Sequence, residues 1–220
     1  MNSLLVALGG LAAFTTATMQ TVTGHVEYRS TIGVLGCKVD TNAVAYWPTT
    51  GDCDSVCAKV RNPATGIEKT VLTIGTSSAS SVYDISWKRY VELKGQPDTP
   101  EGNAAAYDGG TPMEVFPVTM DQCEDLIYYE EDGQKKLPFL ALSPNFLNEC
   151  QASSPNSWVA QNGVLLDFVN DCCTIGKDQK CTGPNPVYCA DGALAGYSQV
   201  KTNLAVMNVK LDGSEQACLG

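Results

Sequence analysis

The residues with the most chemistry to offer are the sulfurs. Ten cysteines occur in 220 residues: Cys37, Cys53, Cys57, Cys123, Cys150, Cys172, Cys173, Cys181, Cys189 and Cys218. An even count in an exported chain implies a disulfide framework. Zinc is the rival use of clustered cysteine, but there is a single histidine, His25, and no paired Cys-x-x-Cys knuckle, so no metal and no cofactor are expected. Connectivity stays open. The vicinal Cys172-Cys173 pair most simply sends each sulfur to a different partner, with Cys181, Cys189 and Cys218 in reach; a strained vicinal disulfide is the alternative. Aromatic side chains supply a second kind of chemistry, because sugars have apolar CH faces on which fixed rings can stack. Trp47, Tyr83, Trp87 and Tyr107 are the candidates, with core packing the competing fate of the two tryptophans. Nucleophilic catalysis has little support: His25 lies outside any motif and reads as an incidental surface residue, and no Gly-x-Ser-x-Gly elbow is present. Phosphate loops, dinucleotide fingerprints, EF-hands and N-glycosylation sequons are absent too.

Elements that would position these groups follow from local pattern. An uncharged apolar run from Leu4 to Phe14, then small and hydroxyl residues, has the form of a secretory leader, with cleavage expected between Ala17 and Gln20. It is too short to span a bilayer, which takes about 20 apolar residues. The expected organisation is therefore a leader over 1–19, a folded module over 20–150 and a cysteine-rich extension over 151–220 packed on it. Net charge is −10, which disfavours a polyphosphate partner. The expectation is an extracellular monomer without nucleic-acid or membrane partners.

Strands are expected over Val22–Tyr28, Ala43–Trp47, Val56–Val60, Ile67–Ile74, Val82–Ser86, Met113–Val118, Leu137–Leu142, Val164–Val169 and Leu204–Leu211. Asn62-Pro63-Ala64-Thr65-Gly66 joins the third and fourth as a hairpin, since proline fixes φ and glycine accepts positive φ. A Ser-rich loop spans Thr76 to Ser81. Trp87–Lys94 reads as a helix with Ser86 as N-cap and Gly95 as its stop. Gln96–Thr111 reads as a long loop, a short helix is expected from near Asp121, and Glu130-Glu131-Asp132-Gly133 as a solvated turn. Many short strands with one clear helix point to a small barrel or sandwich.

The run Val56-Cys57-Ala58-Lys59-Val60-Arg61-Asn62-Pro63-Ala64-Thr65-Gly66, followed by a Val/Leu/Ile strand, a loop and Tyr83-Asp84-Ile85-Ser86 opening a helix, resembles the barwin/expansin-like (rare lipoprotein A-like) module. Gly36-Cys37-Lys38, Ala45-Tyr46-Trp47-Pro48, Cys53-Asp54-Ser55-Val56-Cys57 and Ser157-Trp158-Val159-Ala160 are similar to secreted fungal members of that group. The resemblance implies a mainly β fold: a six-stranded double-psi β-barrel with one or two short helices and a disulfide-rich C-terminal extension. It also implies that Asp84 stands where lytic members carry a general acid, a role that needs a raised pKa.

Glycoside hydrolysis requires a second carboxylate roughly 5 to 9.5 Å away. Gly75 occupies the position at which the module usually has its other aspartate; Asp40, Asp54 and Asp108 are the remaining partners to consider. The structural alternative is that Asp84 caps the following helix or orders the Ser loop. The functional expectation is a secreted protein that binds a cell-wall polysaccharide or a host-surface protein, as an effector does, without efficient catalysis. Its rival is a polysaccharide-cleaving or wall-loosening enzyme that uses Asp84 as acid.

Overall fold

The computed structural model describes residues 17–49, 51–77, 81–183, 186–204 and 206–219. Most of the expected leader and the centre of the Ser-rich loop lie outside them. Six strands close into a barrel in the order β1-β5-β2-β4-β3-β6. They are β1 (Thr18–His25), β2 (Val44–Trp47), β3 (Cys57–Arg61), β4 (Glu68–Thr76), β5 (Tyr83–Ser86) and β6 (Thr111–Val118). Pairs β1/β5 and β2/β4 are parallel, and the other four neighbours are antiparallel. Exchanging β1 with β4, β2 with β5 and β3 with β6 leaves every pairing and its direction unchanged. The barrel thus has an internal two-fold topology, and closure removes all free edges.

The β3–β4 hairpin forms as the turn residues dictate. Asn62 N–H donates to Ile67 O at 2.9 Å and Gly66 N–H to Asn62 O at 2.8 Å, with Gly66 at φ 70°. The buried Asn62 amide also donates to Leu93 O at 3.0 Å, pinning the turn to α1 (Trp87–Leu93). Ser86 does precede α1, but its hydroxyl donates to Asn42 O instead of capping the helix.

The stretch expected as loop contains a second helix, α2 (Pro100–Ala106), whose N-cap Thr99 Oγ1 accepts from Gly102 N–H at 3.2 Å. Beyond β6, the helix expected near Asp121 is two 3₁₀ turns, Met120–Gln122 and Glu124–Leu126. The solvated turn is a two-strand ribbon, β7 (Glu130–Glu131) and β8 (Gln134–Lys135). The described residues hold four α-helices, more than the one or two expected, the others being α3 (Asn145–Ser153) and α4 (Trp158–Asn162).

A second sheet, in the order β12-β11-β10-β9, takes β9 (Leu137–Leu140) from before residue 150. Its other strands, β10 (Gly163–Phe168), β11 (Gly176–Thr182) and β12 (Tyr188–Cys189), come from after it. A last hairpin joins β13 (Met207–Val209) to β14 (Glu215–Ala217).

Strand alternation splits the barrel's apolar residues between two cores. Val22, Ala45, Ala58, Val60, Val71, Ile85, Met113 and Val115 pack inside with α1. Val44, Tyr46, Cys57, Leu72 and Ile74 face outward and are covered by Ile127, Phe139, Phe146, Leu147 and Val159 from later segments. Four disulfides fasten that cover, Cys37–Cys173, Cys53–Cys150, Cys57–Cys123 and Cys172–Cys218, and a fifth, Cys181–Cys189, joins β11 to β12 within the second sheet. The vicinal cysteines do take separate partners, but Cys173 reaches back to Cys37, which local proximity did not suggest.

Candidate functional site

Asp84 lies in a row of side chains that crosses four strands. Register places Thr23 of β1 beside Asp84 of β5, Asp84 beside Tyr46 of β2, and Tyr46 beside Gly75 of β4. Neighbours in such a row share a face, here the outward one. The Thr23 hydroxyl donates to Asp84 Oδ1. On the other flank, the Tyr46 ring leans over Gly75: a Cβ at Gly75 would sit 2.4 Å from Tyr46 Cδ1. Tyr46 is 4% exposed. Its hydroxyl donates to Glu27 O at 3.1 Å and accepts from Arg29 N–H at 3.1 Å, while burial pushes its phenol well above the usual range.

A β-bulge creates this opposition. Ala45 pairs with Thr73 but Tyr46 pairs with Gly75, so Ile74 is the extra residue. Gly75 and Asp84 are thus two strand spacings apart, about 9–10 Å. Two carboxylates at these positions would stand near the wide end of the range for an inverting pair. In this chain the second place is taken by an aromatic ring.

His25, read from sequence as incidental and on the surface, is half-buried on the same face as Thr23 and Asp84. Its ring meets Tyr46 edge-on, with centroids 4.6 Å apart and planes at 89°. Burial lowers its pKa from the ordinary 6.5, partly opposed by the charges of Asp84 and Glu27. Only the long-range parallel pairing of β1 with β5 reveals this placement, and nothing local in the sequence signals it. The β13 strand closes over the His25 end: Asn208 Oδ1 accepts from Tyr28 N–H at 2.8 Å. A cavity of about 20 Å³, lined in part by His25, Ser86 and Asn208, has room for about one water.

The three other candidate carboxylates are engaged or placed elsewhere. Asp40 accepts from Asn42 N–H at 3.0 Å at the start of a 3₁₀ turn. Asp54 is exposed ahead of β3. Asp108 accepts from the Lys94 ammonium, from Tyr90 Oη at 2.5 Å and from Thr111 Oγ1 at 2.8 Å. Burial raises the Asp108 carboxyl, but these donors outweigh it and hold the group well below the usual range. None of the three hydrogen-bonds to Asp84. The helix-capping role considered for Asp84 is not seen either, and the residues at the centre of the Ser-rich loop lie outside those described.

The aromatic candidates separate into two pairs. Trp47 and Tyr83 adjoin in the next cross-strand row, with centroids 5.4 Å apart. Because alternate residues face opposite ways, both turn away from Asp84 and pack, half-buried, at one end of the inner core. The indole N–H of Trp47 finds no acceptor among the described residues. Trp87 belongs to the core. It is 2% exposed, lies against Gly24, where a Cβ would be 2.3 Å from its ring, and donates Nε1–H to buried Asn103 at 2.5 Å. No ring face of Trp87 is left for a sugar. Tyr107, 64% exposed, stands 6.4 Å from Trp87.

One cluster of metal-ligating types occurs among the described residues, Asp167 with Cys181 and Cys189. Both sulfurs are joined in a disulfide, and the Asp167 oxygens accept from Gly196 N–H at 2.8 Å and Gln179 Nε2 at 2.9 Å. That donor set does not suit an ion. No helix among the described residues is long and apolar enough to cross a membrane. In the comparisons with known proteins, no family model, curated protein or solved structure matched this chain.

Proposed function

We propose that the chain is an extracellular, disulfide-locked binding protein of the barwin/expansin-like kind, that its barrel is of the double-psi type, and that its ligand is a neutral cell-wall polysaccharide. The observation that carries the non-catalytic part is the Tyr46 ring packed on Gly75. The place that would hold a second carboxylate is filled, and Asp84 has a hydroxyl for a neighbour instead of an acid. A lone carboxylic acid can protonate a glycosidic oxygen but leaves the water without a base. The paired pseudo-symmetric strand order and the Asn62–Gly66 hairpin support the barrel type, and the five bridges support an oxidising compartment. Trp47 with Tyr83 at the barrel end is the proposed stacking platform.

Co-sedimentation with insoluble chitin, cellulose and β-1,3-glucan tests the reading. Retention on at least one, reduced about tenfold by Trp47→Ala or Tyr83→Ala, is the expected result. Absence of retention on all three would leave a host protein as the partner. Soluble sugar release that disappears in Asp84→Asn, with the fold intact, would replace the binding reading with the enzymatic one.

A further inference from the structure

Away from the barrel, two hollows of about 380 and 540 Å³ lie along α3 and meet at Asn148 and Gly183. Among the described residues, no acidic or basic side chain lines the first. The second has one, Lys180, whose ammonium is neutralised by both oxygens of Glu131 at 2.7 and 2.9 Å. In a chain of net charge −10, a continuous groove without free charge is a selective feature.

One wall of the groove is a row of carboxamides. Asn145, Asn148 and Gln151 follow at three-residue intervals on α3, a spacing that keeps side chains on one helical face over about 9 Å. All three are exposed, and none of their amides has a hydrogen-bond partner among the described residues. At the end formed by the first hollow stand Tyr197, 74% exposed, and Leu142, 48% exposed. A carboxamide both donates and accepts, as a sugar hydroxyl does, and an exposed ring matches the CH face of a pyranose.

We infer that the groove between α3 and the second sheet binds an unbranched, neutral oligosaccharide. Asn145, Asn148 and Gln151 take its hydroxyls, and Tyr197 stacks on a terminal ring. This rests on the reading of the chain as a glycan binder, but not on the Trp47–Tyr83 platform, so the two can fail separately. With platform and groove on different parts of the molecule, one chain could hold two stretches of glycan and gain avidity.

Titration calorimetry with the hexamers of β-1,4-N-acetylglucosamine, β-1,4-glucose and β-1,3-glucose, and with hexagalacturonate as the charged control, provides the test. The proteins compared are the intact chain, Tyr197→Ala, the triple variant Asn145→Ala/Asn148→Ala/Gln151→Ala, and Trp47→Ala. All the altered groove residues are exposed, so melting temperatures should match the parent. Supporting results are binding of a neutral hexamer that weakens at least tenfold in Tyr197→Ala and in the triple variant, with hexagalacturonate at least tenfold weaker than the best neutral hexamer. Loss in the groove variants alone upholds the groove and removes the barrel platform. Loss in Trp47→Ala alone overturns the groove and keeps the platform. Equal binding of the acidic hexamer, or no binding of any neutral one, overturns the inference.

Discussion

Adding one methyl group at Gly75 should destabilise the protein, and removing the Tyr46 ring should abolish that effect. An alanine Cβ would lie 2.4 Å from Tyr46 Cδ1 and 3.1 Å from Cε1, against an optimal carbon–carbon separation of about 3.5–4.0 Å. The ring must therefore move by about 1 Å. It is 4% exposed, held through its hydroxyl to Glu27 O and Arg29 N–H, and braced by the His25 edge. Overpacking costs about 1–3 kcal/mol, and weakening a hydroxyl contact adds about 0.5–1.5 kcal/mol. A loss of about 2–3 kcal/mol is expected for Gly75→Ala, or roughly 4–12 °C in Tm at this chain length. In a Tyr46→Ala background the clash is gone. Gly75 is not at positive φ, so the same substitution should there be neutral, or stabilising by about 0.4–1 kcal/mol through the unfolded chain. The assay is a double-mutant cycle by thermal and guanidinium denaturation with the disulfides intact. A Gly75→Ala protein as stable as the parent, or an equal penalty in both backgrounds, would refute the packing argument and reopen the case for a second acid at this position.

Four further outcomes are expected. The His25 resonances should titrate with a pKa below 6.5 and lower still in Asp84→Asn, which removes a charge that raises it; an unchanged or higher value in that variant would separate the two groups. Because the folded value is depressed, the His25 contribution to stability is complete above 6.5 and declines as pH falls through the folded value, so His25→Gln should flatten the Tm profile on the acid side of pH 6.5. Replacing the Cys37–Cys173 bridge by two serines opens a link spanning 136 residues and should cost about 2–5 kcal/mol by denaturant unfolding. Trp87→Ala, which empties a core site and strands the Asn103 amide, should cost about 3–5 kcal/mol, enough to distinguish a core tryptophan from a ligand-binding one.

How far the sequence could be read depended on whether the cause was local. The Asn62–Gly66 turn, α1 with its Gly95 stop, and the strands flanking them form from nearest-neighbour chemistry, and their expected and observed limits differ by a residue or two. Helix α2 escaped because Pro100 reads as a breaker in a Pro/Gly-rich stretch, whereas behind the N-cap Thr99 it occupies the first helical position, where a missing N–H costs nothing. On α3, Asn145, Asn148, Glu149 and Gln151 outnumber the buried Phe146, Leu147 and Cys150, so the apolar stripe is too thin to signal a helix.

The site is a different matter, because its meaning lies in pairings that no local window contains. Asp84 was visible as a residue. Its neighbours were not: Thr23 is 61 positions away along the chain, and the Tyr46–Gly75 contact exists only because Ile74 bulges and shifts the register. Had β4 run without that extra residue, Tyr46 would face a branched side chain and its ring could not settle on the sheet. Glycine at 75 is then the complement of a buried tyrosine. For the barrel to acquire a carboxylate pair, more than one position must change: Tyr46 has to leave before an acid can enter at 75. That coupling is why a single substitution would not be expected to turn this face into a hydrolytic one.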